Sequence, residues 1–367
     1  MNIHSIETFS VSVPLTKPFK TALRTVTVAD SVFVKITSDS GLAGWGEAPP
    51  THVITGDSLG SIQYAINHVL GPQLVGLDLR HSERIFQKFH RSMVGNTSAK
   101  AALDMAIHDL LGQLAGLPLV TFLGGYRDSI ETDFTVSVND AEEMAEDALR
   151  YMDSGFNVLK VKVGIDDIDK DMERIRAIRD KIGYDTKLRL DANQGWEAKE
   201  AVRAIGQMED AGLNIELIEQ PVKAHDIEGL KHVTDHTHTP IMADESIFSP
   251  NDALRVLQLH AADLINIKLM KAGGIYKALK INSLAESFGI ECMTGSMIET
   301  KLGITAAAHF AASQPNITRF DFDAPLMLAE DIIEGGIEYD GRHIRFSNLP
   351  GLGIHVERMN ARFNRKG

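Results

Sequence analysis

The chain has 367 residues, 44% of them hydrophobic, enough for a large core and a smaller accessory domain. A formal charge of −13 argues against a nucleic-acid partner, whose binding draws on clustered Lys and Arg, and leaves small-molecule substrates open. A single cysteine excludes a disulfide framework, Met1-Asn2-Ile3-His4-Ser5-Ile6-Glu7 lacks the plan of a signal peptide, and no apolar run could span a bilayer. A soluble cytoplasmic protein without a membrane partner is expected, with Cys292 a buried, inert thiol.

Residues 1 to 60 read as antiparallel β. Ser31-Val32-Phe33-Val34-Lys35-Ile36-Thr37 is a strand, and Ser38-Asp39-Ser40-Gly41 turns it into Leu42-Ala43-Gly44-Trp45-Gly46. Residues 18–25 and 49–56 read as loops, long enough to suggest function. Helices follow, the clearest over 98–115, with Asn96, Thr97 or Ser98 as N-cap and Gly116-Leu117-Pro118 as the stop. From 126 onward strand and helix alternate. Strands are expected at 132–138, 158–163, 187–191, 216–219, 240–243, 264–268, 290–294 and 317–322, with helices such as 141–154, 168–181 and 198–211 between them. Eight strands and seven helical segments predict a (β/α)8-type barrel, TIM-like but modified at its last helix. Beyond Asp323 the pattern returns to β, with a hairpin at 336–341 and a tight turn at 350–354. The expected division is an α+β capping domain over 1–125, the barrel over 126–324, and a tail over 325–367 that returns to the capping domain.

Three barrel strands close on acids, Asp191, Glu219 and Asp244, roughly 25 to 30 residues apart, the length of one βα unit. Equivalent strand ends converge at the mouth of such a barrel. Three carboxylates meeting there must take up protons or bind a cation, and all-oxygen donors suit Mg²⁺. The second strand ends Leu159-Lys160-Val161-Lys162, which puts Lys160 and Lys162 on one face. Two ammonium groups so placed disfavour each other's charge, and burial adds to that, so the inner one is expected to act as a base near neutrality. Lys268 closes the sixth strand, diametrically opposite the second. A metal with one lysine on each side is what removal and return of a proton next to a carboxylate requires, with the metal neutralising the enediolate.

These residues resemble the enolase superfamily in its muconate-lactonising-enzyme subgroup. The motifs are Lys160-Val161-Lys162, Asp191-Ala192-Asn193, Glu219-Gln220-Pro221, Asp244-Glu245-Ser246, and Lys268 ahead of Gly273-Gly274, and the likeness covers nearly the whole chain. The resemblance implies Asp191, Glu219 and Asp244 as ligands of one Mg²⁺ per subunit, Lys162 and Lys268 as the acid/base pair, and Lys160 and Asn193 as supporting residues. Strand eight ends Arg319-Phe320-Asp321-Phe322-Asp323, similar to the Asp-x-Asp feature with which dipeptide epimerases receive a substrate ammonium. The segment from Met293 to Glu299 is also similar to that family, and implies substrate contacts at Ser296 and Ile298. Arg24 lies where an arginine in epimerases of Ala-Glu meets the glutamate side chain; a solvated loop arginine is the plainer alternative. The resemblance thus implies a small dipeptide substrate, 1,1-proton transfer at its C-terminal residue, a role in cell-wall peptide recycling, and a homo-oligomer.

Cycloisomerase, o-succinylbenzoate synthase and N-acylamino acid racemase activities are the competing enzyme readings. The first two act on substrates without an ammonium for Asp321 and Asp323. A sugar-acid dehydratase would call for a histidine near Met293-Thr294-Gly295, and a catalytically silent barrel would have lost one of the five key residues. His232, His236 and His238 precede strand five, so they fall at the barrel's opposite end. Gly273-Gly274 lacks dinucleotide-loop spacing and reads as a tight turn, and His309 reads as a helix residue.

Overall fold

The computed structural model describes residues 1–363. Strand β1 (Ile3–Lys20) pairs antiparallel with β2 (Thr25–Ser38), which pairs with β3 (Ala43–Ala48). The β1–β2 hairpin runs further than expected: Phe19 pairs with Val26 and Lys20 with Thr25, leaving only residues 21–24 as a turn. Pro14 and Pro18 lack N–H donors and interrupt the ladder, which made the resumed pairing read as loop. The sheet packs on the helix Thr97–Ala115, buried on nearly every side between sheet and barrel. Its Asn96 sits at the N-cap in a left-handed conformation without a side-chain capping bond; Asp57 instead accepts from Ser98 N–H at 3.1 Å. Gly116, at φ 69°, ends the helix as expected.

A short strand, β4 (Ser129–Glu131), precedes the barrel. The barrel strands are β5 (Phe134–Val136), β6 (Val158–Lys162), β7 (Lys187–Asp191), β8 (Ile215–Glu219), β9 (Ile241–Ala243), β10 (Leu264–Lys268), β11 (Glu291–Gly295) and β12 (Ile317–Phe320), parallel and in chain order. The ring closes where Asp133 N–H donates to Phe320 O at 3.2 Å and Phe322 N–H to the Thr132 hydroxyl at 2.8 Å. Helices Ala141–Asp153, Ile168–Ile182, Ala198–Asp210, Ile227–His236, Pro250–Gln258, Ile275–Ser287 and Lys301–Ser313 join successive strands. Asp140, Asp167, Asp226, Ser249 and Thr300 cap five of them through their side chains. After β12 the expected alteration is a 3₁₀ turn, Ala324–Met327, in place of an eighth α-helix. None of the described helices is long and apolar enough to cross a membrane.

Outward-facing strand residues join the main core, while Leu217, Met242, Leu264 and Met293 form a separate apolar cluster. They come from alternate pleats of β8 to β11, so this cluster plugs the inside of the ring. In the tail, β13 (Glu338–Asp340) and β14 (His343–Arg345) form the expected hairpin and add to β4. The tail also reaches the N-terminal elements: Leu352 N–H donates to Asp109 of the helix Thr97–Ala115 at 2.8 Å, and the Phe363 ring packs on Phe9, Phe33 and Trp45 of the sheet.

Candidate active site

Parallel register puts Lys162 beside Asp191 and Asp191 beside Glu219, while Asp244 follows the end of β9. All three carboxylates are fully buried. Lys160 Nζ lies 2.7 Å from Glu219, 2.8 Å from Asp321 and 3.1 Å from Asp191. Lys162 Nζ is 2.6 Å from Asp191, and Lys268 Nζ is 2.7 Å from Asp244. Lys271 Nζ completes the set, 2.6 Å from the other Asp244 oxygen. Among the described residues no three acidic, His or Cys side chains form a ready-made metal cage, because these ammonium groups stand between the carboxylates.

The donor set supports a cation there nonetheless. Burial, then the charge of Asp191, pushes Glu219 up to about 7. Burial acts on Asp191 and Asp244 too, but at Asp191 the Lys162 and Lys160 ammoniums outweigh it and hold that carboxyl at about 2. Lys268 and Lys271 depress Asp244 in the same way. Glu219 Oε2 and Asp244 Oδ1 are buried, and each has an ammonium as its near neighbour, Lys160 at 2.7 Å and Lys271 at 2.6 Å. Three buried carboxylates converging from adjacent strand ends form an all-oxygen donor set, which fits a hard divalent ion.

Lys160 does not have a depressed pKa: burial lowers it, but Asp321, Glu219 and Asp191 raise it well above the ordinary lysine value. Three buried carboxylates outweigh one neighbouring ammonium, which strand alternation alone could not reveal.

The acids are held by backbone as well as by charge. Asn193 (φ 41°) and Gln220 (φ 37°) take left-handed conformations just past β7 and β8, where the chain turns sharply around the mouth. Asn193 N–H donates to Asp191 at 2.9 Å, and its side chain to Glu245 at 3.2 Å. Gln220 Oε1 accepts from Asp244 N–H at 2.8 Å.

Lys160, Lys162, Asn193, Lys268, Ser296, Ile298, Asp321, Asp323 and Arg24 all border one chamber, with Phe19 and Ile54 closing it from the capping domain. Its volume is about 50 Å³. A groove of about 790 Å³ along β1 shares no residue with it. Asp323 accepts from Thr135 N–H at 2.6 Å; burial, then the Asp321 charge, pushes its carboxyl up to about 7. Arg24 faces the chamber without an acidic partner among the described residues. The Phe19 ring lies 5.7 Å from Lys162 Nζ.

Other groups read from sequence fall elsewhere. His236 bonds back to His232 O, and His238 lines a surface groove with Glu209 at the entry to β9. His309 is buried and accepts from Val120 N–H. Gly273-Gly274 forms a turn whose following helix is capped by Asp104 of the capping domain. Reading the sequence missed Lys271, Asn266 (2.7 Å from Glu219) and Thr135. Only Lys271 carried a signal, its three-residue spacing from Lys268 placing it one short turn away.

Residues 4–124 match the mandelate racemase / muconate lactonizing enzyme N-terminal domain, and residues 143–360 the enolase C-terminal domain-like family. The chain is 64% identical over 354 residues to the L-Ala-D/L-Glu epimerase of Bacillus subtilis, covering 96% of this chain and 97% of the relative. Its identity to the hydrophobic dipeptide epimerase of Enterococcus faecalis is 44%, covering 96% and 99%. Among solved structures, a substrate-liganded complex of the Bacillus subtilis epimerase aligns with a TM-score of 0.96 at 64% identity, over 97% of this chain and 99% of that one. The Enterococcus faecalis dipeptide epimerase with Mg and L-Leu-L-Tyr aligns with a TM-score of 0.93 at 44% identity, over 96% and 99%.

Proposed function

The chain belongs to the enolase superfamily, in the mandelate racemase / muconate lactonizing enzyme group, and we infer that it is a dipeptide epimerase that exchanges the α-proton of a C-terminal residue between two lysines. The observation that carries this reading is one chamber bordered at once by Lys162, Lys268, Asp321, Asp323 and Arg24.

Asp191, Glu219 and Asp244 would hold one Mg²⁺, the ion in the relatives' complexes. Bound there, it would offset the negative charge that builds on the substrate carboxylate as the α-proton leaves. The remaining work falls to the chain's own groups. Lys162 on β6 and Lys268 on β10 each give up a carboxylate contact to reach the α-carbon, one from each face. Lys160, held between Glu219, Asp321 and Asp191, stays an ammonium beside the substrate carboxylate. Asp321 and Asp323 receive the N-terminal ammonium, Arg24 an anionic C-terminal side chain, and Ser296 and Ile298 border the peptide.

The unpaired Arg24 and the 64% identity to an L-Ala-D/L-Glu epimerase favour Ala-Glu as substrate. Turnover of cell-wall peptides in the cytoplasm would follow from that substrate and agrees with the lone, buried Cys292. L-Ala-L-Glu and L-Ala-D-Glu incubated separately in deuterated water should interconvert with exchange at the glutamyl α-carbon. Absence of both exchange and interconversion would sink the reading.

A further inference from the structure

Glu299 lies between β11 and the helix Lys301–Ser313, just after the Ser296-Met297-Ile298 turn, and is 2% exposed. Its Oε1 accepts from Met297 N–H at 2.9 Å, while Oε2 is buried without a hydrogen-bond partner among the described residues. Glu47, fully buried on β3 of the capping sheet, is held quite differently. It accepts from the Ser31 hydroxyl at 2.7 Å, Thr300 N–H at 2.9 Å, the Thr300 hydroxyl at 2.6 Å and Gly303 N–H at 2.8 Å. Both carboxyls close on Gly303: a Cβ there would lie 2.3 Å from Glu299 Oε2 and 3.1 Å from Glu47 Oε2.

Two buried carboxyls this close do not both ionise. Burial raises the Glu47 carboxyl as well, but its four donors and the N-terminus of a 13-residue helix oppose that, so Glu47 holds the charge in preference to Glu299. Glu299 has one donor. Burial, then the Glu47 charge, pushes its carboxyl up to about 8, and Lys268 on β10 offsets only part of this. Lys301, on the adjoining turn, is engaged by Asp331 at 2.5 Å.

We propose that Glu299 is a positioning residue that works in its neutral form: wedged against the ionised Glu47, it locks the Ser296-Met297-Ile298 turn to the capping domain and so sets the wall of the substrate chamber. The role of Ser296 and Ile298 rests on the dipeptide reading above. Ionisation of Glu299 sets two negative charges against each other, drives Glu299 away from Glu47, and releases the Met297 N–H that shapes the turn.

The test compares Glu299→Gln with wild type, since glutamine keeps an oxygen for Met297 and cannot ionise. KM for the dipeptide should agree near pH 7. At about pH 9, one unit past the midpoint, only about a tenth of wild-type turns remain neutral, so wild-type KM should be about tenfold above that of the variant. The substrate amine titrates in the same range, which is why the ratio of the two proteins is read at each pH. Superimposable profiles overturn the proposal. Infrared difference spectra between about pH 7 and pH 10 provide a readout independent of turnover. Wild type should lose a protonated-carboxyl band that the variant does not, and equal bands again overturn the proposal, whatever the substrate proves to be. Should Glu299→Gln fail to fold, Glu47→Gln removes the neighbouring charge and with it the repulsion, so the alkaline rise in KM must flatten; a rise as large as in wild type counts against the proposal.

Discussion

Lys162 and Lys268 stand four strands apart in a ring of eight, so each should serve one face of the substrate carbon. Epimerisation needs both lysines, whereas solvent exchange needs only the base that faces the hydrogen. In deuterated water, Lys162→Ala should abolish epimerisation yet leave slow exchange at one stereoisomer, and Lys268→Ala the converse; mass spectrometry reads the outcome. Exchange of the same antipode by both variants would show that the lysines do not face each other. Asp321 and Asp323 lead to a second expectation, because paired carboxylates select a charged amine. Acetylating the dipeptide N-terminus should cost far more kcat/KM than changing its N-terminal side chain. Arg24→Ala should hurt glutamyl substrates at least tenfold more than neutral ones, the loss expected for a charged hydrogen bond of about 1.5–3 kcal/mol. Equal loss on both substrates would make Arg24 a folding residue.

At two glycines the capping sheet comes against the backbone of the helix Thr97–Ala115. A Cβ on Gly46 would lie 2.0 Å from Ala102 O, and one on Gly44 2.2 Å from Ala106 O. Neither contact can relax by a rotamer change. Gly46→Ala should therefore destabilise the fold by about 3 kcal/mol, seen as a lower melting temperature. A melting temperature matching wild type would mean that sheet and helix can separate at little cost. That close approach also brings Glu47 on β3 within reach of the helix Lys301–Ser313, so one strand serves both packing and the wall of the chamber.

At the level of the whole molecule, the site gathers the ammonium groups of Lys160, Lys162, Lys268 and Lys271 and the carboxyl groups of Asp191, Glu219, Asp244, Asp321 and Asp323 beneath a cap that supplies Phe19, Arg24 and Ile54. A ligand that binds only the folded chain stabilises it by about 2.7 kcal/mol at a hundred times its dissociation constant. Mg²⁺ should therefore raise the melting temperature by several degrees after chelator treatment. Asp244→Asn should abolish that shift, because it removes a donor charge. Full activity in metal-free protein, or an unchanged shift in the variant, would remove Asp244 from the donor set.

The barrel and its acidic strand ends were legible in the linear chain, because strand alternation and a regular βα repeat place Lys160, Lys162, Asp191, Glu219 and Lys268 without tertiary knowledge. The alteration of the last barrel helix and the packing helix expected at 98–115 were legible too, from missing periodicity and from end signals, although the 3₁₀ form of that ending was not. What could not be read depends on groups distant in sequence. The continuation of β1 past Pro14 is set by its partner β2, and the cap on Ser98 comes from Asp57. The ionisation of Lys160 depends on three carboxylates from three other strands. Glu47 and Glu299 are 252 positions apart, and neither shows a local pattern; their pairing exists because sheet, helix and barrel close on Gly303. Local periodicity places side chains on faces, but burial and charge at a site are sums over every element that reaches it.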